Sequence, residues 1–250
     1  LNDRGSSRYH LVRAVEASLR RLGTDRIDVL FLHRFDDDTP LEDTLRTVDD
    51  LVRQGKVLYL GVSNFSAWQT MKALGICQRR GFVAPTCVQP MYNLVKRQAE
   101  VEILPMAASE GIGVMPYSPL GGGLLTGKYG VDKRPDAGRL VDTKFYSIRY
   151  GAALNYEVAD RFVTLAAELN VSPVALAIAW VEAHPAVTCP LIGARNLSQL
   201  EGALGALQIE MTPELYQRIA ALSPTPPPAT DRNEERGGAA TFGKTVKEAL

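Results

Sequence analysis

The chain has 250 residues, 46% of them hydrophobic, which is enough for one α/β barrel or two smaller domains with a sizeable core. Lysine plus arginine equals aspartate plus glutamate at 28 each, so no overall field favours nucleic acid or an anionic membrane as a partner. Cys77, Cys87 and Cys189 lie far apart without a C-x-x-C pair, which argues against a disulfide or metal framework. No run approaches the ~20 apolar residues of a membrane helix and the first residues do not read as a signal peptide, so a cytoplasmic protein is expected.

A helical period over residues 9–22 (Leu11, Val12, Val15, Leu19, Leu22) stops at Gly23. Residues 27–32 then read as a buried strand ending at His33. Thr39-Pro40-Leu41-Glu42 has the form of a capping box, and Leu41, Leu45, Val48 and Leu51 form the inward stripe of the helix it opens. Strand 57–62 runs into Ser63-Asn64, and a second capping box, Ser66 to Gln69, starts a helix that ends near Arg80. Strand 86–91 leads to Tyr92-Asn93, a helix follows over about 97–110, and strand 112–115 ends in Pro116-Tyr117-Ser118-Pro119.

Residues 129–155 show no clear period and read as a long loop, of the kind that is usually a functional lid or disordered. Helices over 157–169 and 173–183 come next, then a fifth strand over 187–192, a short helix over 196–204 and a last helix over 213–222. Pro224, Pro226, Pro227 and Pro228 end regular structure, so residues 1–222 form the expected folded unit and 223–250 a loop or tail. Strand starts spaced by roughly 25 to 30 residues suit successive βα units on a parallel sheet. Five strands fall three short of a closed barrel.

Functional groups of parallel α/β folds gather at strand carboxyl ends. Those ends carry His33 and Arg34; Ser63 and Asn64; Gln89, Tyr92 and Asn93; Tyr117 and Ser118; Gly193 and Arg195. Carboxylate pairs and metal-ligand clusters are missing from the set. Gly122 to Lys128 has the G-x-x-x-x-G-K spacing of a phosphate loop, but Tyr129 stands where a Mg²⁺-binding hydroxyl belongs and no helical pattern follows. A dinucleotide with Tyr117 stacked on one ring is the stronger reading. Taken alone, each residue also has a plain reading: His33 as a hydrogen-bonded core histidine, Ser63-Asn64 as a turn and cap, and Gln89 and Asn93 as rim groups satisfying backbone. Tyr117 reads equally as packing, Arg195 as a surface arginine, Asn196-x-x-Gln199 as a helix cap, and His10 and His184 as surface residues.

Leu32-His33-Arg34, Gly61-Val62-Ser63-Asn64-Phe65, Gln89-Pro90-Met91-Tyr92-Asn93-Leu94, Tyr117-Ser118-Pro119-Leu120 through Gly127-Lys128-Tyr129, and Ile192-Gly193-Ala194-Arg195 together resemble the aldo-keto reductases. They are most similar to bacterial members allied to the potassium-channel β subunits. The resemblance implies a (β/α)8 TIM barrel whose first three βα units are absent from the chain as given. It also implies NADPH/NADP+ as cofactor and reduction of a small carbonyl substrate, an aldehyde or ketone, to the alcohol. By the same resemblance Ser63, Asn64 and Gln89 hold the nicotinamide carboxamide and Tyr117 stacks on its ring. Ser118, Leu120, Gly122, Gly127, Lys128 and Gly193 line the rest of the cofactor, and Arg195 and Gln199 meet the adenosine 2′-phosphate. His33 matches the active-site histidine that orients the carbonyl.

Two departures stand out. The family's catalytic aspartate, tyrosine and lysine belong to a part of the barrel upstream of this sequence, and loss of a proton donor costs about 10² to 10⁴ in rate. Gly202 and Ala203 stand where the family usually has Glu and Asn against the adenine. The alternative is therefore a non-catalytic NADP(H)-binding regulatory or interaction subunit, or an inactive fragment. Open strand edges would in that case invite oligomer formation.

Overall fold

The computed structural model describes residues 4–230. Four strands, β1 (Ile27–Leu32), β2 (Val57–Ser63), β3 (Pro85–Gln89) and β4 (Gly113–Val114), pair in parallel in their chain order. Helices α1 (Arg8–Leu22), α2 (Leu41–Arg53), α3 (Ala67–Arg80) and α4 (Ile103–Glu110) alternate with them. Leu32, Leu60, Val62, Val88 and Val114 share one core with Leu45, Val48, Ala73, Ile76, Leu104 and Ala107 of the helices. The other face is tight at Gly61, where an added Cβ would sit 2.5 Å from Phe31 and 2.9 Å from Cys87 Sγ. Tyr59, which is in register with Val29, remains 54% exposed.

Local chemistry explains most boundaries. Ser7 caps α1, and the Ser66–Gln69 capping box closes in both directions. The expected box at Thr39 does not form. Pro40 occupies the N-cap position of α2 without a side-chain cap bond, and the Thr39 hydroxyl bonds to Asp36 instead. The helix expected over 97–110 breaks into a 3-10 turn, Gln98–Glu100, followed by α4. Pro105 lacks an N–H and crowds the carbonyl of Val101, so regular helix begins only just before it. β3 stops at Gln89 because Pro90 cannot donate, and pairing resumes in a single bridge between Met91 and Tyr117.

The fifth strand expected over 187–192 is not a regular strand. That segment does run beside β4, with Thr188 N donating to Val114 O (2.9 Å) and Leu191 N to Pro116 O (2.8 Å). Two features stop a ladder. Val114 N is taken by the Thr188 hydroxyl at 3.0 Å rather than by a carbonyl, and Pro190 has no N–H to give. The expected long loop over 129–155 is also corrected. It folds into α5 (Arg139–Asp142) and α6 (Lys144–Tyr150), and α7 (Ala153–Glu168) begins inside it.

The rest of the chain is α8 (Pro173–Glu182), α9 (Leu197–Leu204) and α10 (Pro213–Ala220); residues 223–230 hold no helix or strand, and the remainder of the expected tail lies outside the described residues. A buried polar cluster ties α10 to the β3–α4 connection. Arg97 makes two parallel 2.9 Å bonds to Glu100 and a third to Ala220 O, while the Tyr92 hydroxyl donates to Glu100 at 2.8 Å. Trp180 stacks on Tyr216 (5.3 Å, 11°) beside them. His184, read from sequence as a surface residue, is half-buried edge-on to Tyr92, and that burial lowers its pKa. No single described helix is long and apolar enough to cross a membrane.

Candidate cofactor and active site

The carboxyl ends of β1 to β4 are joined by a chain of hydrogen bonds between side chains predicted for the site. The buried Ser63 hydroxyl donates to Gln89 O at 2.9 Å, linking β2 to β3. Asn64 Nδ2 donates to His33 O (2.8 Å) and to Ser63 Oγ (3.1 Å), and Asn64 Oδ1 accepts the Tyr117 hydroxyl at 2.7 Å. Asn64 sits at φ 54° and Ser118 at φ 60°, in the left-handed region that side chains other than glycine rarely adopt. Strained backbone of this kind persists where surrounding bonds over-determine it, and it concentrates at ligand sites.

His33 is exposed, and its side chain makes no hydrogen bond among the described residues, which removes the reading as a core histidine. The Gln89 amide is half-buried and equally free. Tyr117 is half-buried. Its phenol is pushed up by burial, against which the charges of Arg149 and Arg34 pull.

Ser118 and Leu120 lead into a 3-10 segment, Gly121–Thr126, in which Gly122 lies at φ 67°. A Cβ on Gly122 would stand 2.8 Å from Tyr146, so the glycine is required by the close approach of α6. Gly127 ends the segment at φ 83°, and Lys128 is exposed with its ammonium 5.2 Å from the Tyr129 ring centre. The bond from Leu191 to Pro116 brings the 187–195 segment alongside β4, so Gly193 follows close to the same strand end and has nothing within 4 Å of an added Cβ. Gln199 is committed to a cap: its Oε1 accepts Arg195 N and its N–H donates to Asn196 Oδ1, both at 2.9 Å. The Arg195 side chain is exposed and unpaired among the described residues. Ala203 is buried in a small apolar cluster with Ile178 and Ala179, and Gly202 faces open space.

Asn93, read from the sequence as a strand-end residue, and four residues of α6 outside the predicted site set belong to this region. Buried Asn93 donates to Ser118 O (2.9 Å) and to the Tyr150 hydroxyl (3.3 Å), holding the turn after β4. Tyr146 stacks on Tyr150 at 6.3 Å, and Arg149 lies over Phe145 at 4.2 Å. The available signal was the i, i+4 spacing of the two tyrosines with a cation between them, a helical pattern too short to register in a non-periodic stretch. Hollows of about 360 Å³ between α7 and α10, and about 250 Å³ beside α8, contain none of the predicted site residues.

A model of the Aldo/keto reductase family matches residues 2–224. The chain belongs to the aldo/keto reductase family. Among relatives of this family member, a probable voltage-gated potassium channel subunit beta from Oryza sativa subsp. japonica is 35% identical over 240 residues, covering 92% of this chain and 72% of the relative. An uncharacterized oxidoreductase of Bacillus subtilis (strain 168) is 36% identical over 224 residues, 89% of this chain and 66% of the other. A versiconal hemiacetal acetate reductase of Aspergillus parasiticus is 33% identical over 223 residues, 88% and 63%. The chain thus spans roughly two thirds of the length of these relatives, from 63% to 72%. The family fold is a (β/α)8 barrel, and four in-order parallel strands backed by helices are an α/β arc of that architecture.

Proposed function

We propose that this aldo/keto reductase family member binds NADP(H) across the strand ends and reduces an aldehyde or ketone. The observation that carries the reading is Tyr117: a half-buried ring just after β4, pinned through its hydroxyl to Asn64, while the Gln89 amide at the end of the neighbouring β3 makes no hydrogen bond among the described residues. A flat ring held at one end presents a stacking face at low entropic cost. Both N–H groups of Asn64 are engaged, so Ser63 Oγ and Asn64 Oδ1 would serve a carboxamide as acceptors while Gln89 donates to its oxygen. Ser118, Leu120, Gly122, Gly127, Gly193 and the exposed Lys128 would border the pyrophosphate, and Arg195 a 2′-phosphate; Gln199 acts mainly by shaping that turn. The bound nicotinamide supplies hydride. His33, exposed and free at the end of β1, orients the carbonyl oxygen.

NADPH titration followed by fluorescence tests this reading. Saturable binding that weakens in Tyr117→Ala and Gln89→Leu, together with NADPH oxidation in the presence of an aromatic aldehyde, is expected. Absence of saturable binding by the folded chain sinks it. A second reading, a non-catalytic NADP(H)-binding interaction subunit, is supported by relatives named as potassium channel subunits, the Oryza sativa protein among them. Binding without turnover selects it.

A further inference from the structure

Asn93 lies shortly beyond the end of β3, 0% exposed, and every polar group it has is engaged. Its backbone closes a tight turn, donating to Lys96 O at 3.2 Å and accepting Lys96 N at 2.9 Å. Its side-chain oxygen accepts Val95 N at 3.1 Å inside the same turn. An asparagine that bonds the backbone two residues on braces its own turn. With Oδ1 and the main chain fixed in this way, the two N–H groups of Nδ2 are directed out of the turn. They reach Ser118 O (2.9 Å) and the Tyr150 hydroxyl (3.3 Å).

The residue held by this amide is a strained one. Ser118 sits at φ 60°, which a side chain disfavours, and its carbonyl accepts Gly121 N (3.0 Å) as well as Asn93 Nδ2. This left-handed step is where the chain turns from Tyr117 towards the Gly121–Thr126 segment. Tyr117 is tied on the strand side, its N–H donating to Pro90 O (2.9 Å) and its carbonyl accepting Tyr92 N (3.3 Å). Asn93 grips the other side, one residue after the ring. A satisfied buried amide is often a core group and nothing more. Here, however, the donor is directed at the carbonyl of a left-handed residue between the stacking ring and the glycines. Strain of that kind persists only where the surroundings over-determine it.

We propose that Asn93 is a positioning residue: it holds Ser118 in its left-handed conformation and so sets the Tyr117 ring and the following glycines for the cofactor. The inference rests on the NADP(H) reading for the identity of the ligand and adds the residue that shapes the site from behind. The test is a double-mutant cycle between Asn93→Ala and Ser118→Gly on the full chain. It is read by calorimetric titration with NADP+ and, without ligand, by urea denaturation. Glycine adopts φ 60° without strain, so Ser118→Gly removes the need for the hold. Asn93→Ala is expected to weaken NADP+ binding by the folded protein about three- to tenfold, the range for one neutral hydrogen bond. In the Ser118→Gly background the same substitution should weaken it about twofold or less, because the two sites are coupled. Asn93→Ser replaces the alanine variant if that one fails to fold, since a serine hydroxyl still accepts Val95 N but is too short to reach Ser118 O. Equal losses of affinity in the two backgrounds overturn the proposal, because Asn93 then does not act through Ser118. Lower stability with unchanged NADP+ affinity also overturns it and leaves Asn93 a core group. Failure of the folded wild-type chain to bind NADP+ sinks the cofactor reading instead. The denaturation cycle then decides the hold on Ser118 by itself, and strictly additive stability losses overturn it.

Discussion

The Tyr117 hydroxyl donates to Asn64 Oδ1 at 2.7 Å, joining the residues that follow β4 and β2 across the end of β3. Asn64 passes the connection on to His33 O and Ser63 Oγ, so one amide fixes the relative positions of three strand ends. Asn64 makes these bonds from a left-handed backbone, at φ 54°, a conformation that Asn tolerates better than most residues.

Removing that bond has a defined cost. Tyr117→Phe keeps the ring and leaves the oxygen of the exposed Asn64 amide to water, so a stability loss of about 1 kcal/mol or less is expected in urea denaturation. Cofactor affinity should fall less in this variant than in Tyr117→Ala, because stacking needs the ring and not the hydroxyl. Equal losses in the two variants would show that the hydroxyl, and not the ring, is the cofactor contact.

Gly122→Ala brings two penalties together: a left-handed φ of 67° and a methyl 2.8 Å from Tyr146. A left-handed alanine alone costs about 1 kcal/mol. Tyr146 and α6 must also shift, so differential hydrogen exchange should concentrate in residues 139–150 and spare β1 to β3.

Arg97 and Glu100 form a nearly enclosed pair whose side chains are 9% and 18% exposed. Breaking such a pair by removing one partner costs about 3 to 5 kcal/mol, because the other charge stays buried. Arg97→Met should therefore lower the denaturation midpoint far more than Arg26→Met, whose pair with Asp25 is on the surface. Arg97 also anchors Ala220 O, so α10 should lose exchange protection first.

Cysteine reactivity divides by burial. Burial, with Asp49 nearby, pushes the Cys77 thiol up to about 11, while Cys189 is exposed. At pH 8 a thiol reagent should label Cys189 rapidly and Cys77 only on unfolding. The folded state holds the Cys77 proton to higher pH than the unfolded chain does. Its contribution to stability is therefore complete below the ordinary thiol pKa of about 8.5 and is lost as pH rises through about 11. Chemical denaturation between pH 8 and 11 checks the sign: stability that rises over this window would contradict it.

Much of the architecture was legible because it is local. Ser66 and Gln69 close the box their spacing announced, and Leu41, Leu45, Val48 and Leu51 are buried as their period requires. Thr39 showed the same pattern three residues before Glu42 and failed, since Asp36 competes for its hydroxyl. The segment 187–192 has the residues of a strand but not the ladder, because Thr188 offers β4 a hydroxyl in place of a carbonyl. Such competition depends on which neighbour arrives, which periodicity does not encode.

From sequence alone came the order of βα units, the strand-end set from His33 to Arg195, and the family resemblance that the match over residues 2–224 establishes. These follow from hydrophobic period and from short motifs that sit at fixed positions in each unit. Tertiary structure decided how those ends are joined: that Asn64 bridges His33, Ser63 and Tyr117, that the Gln89 and His33 side chains stay unbonded among the described residues, and that α6 packs Tyr146 onto Gly122. The reason is distance along the chain. Tyr117 and Asn64 are 53 residues apart, and no local pattern specifies which of many polar side chains will meet across a sheet; only packing of the intervening strands brings these two within 2.7 Å.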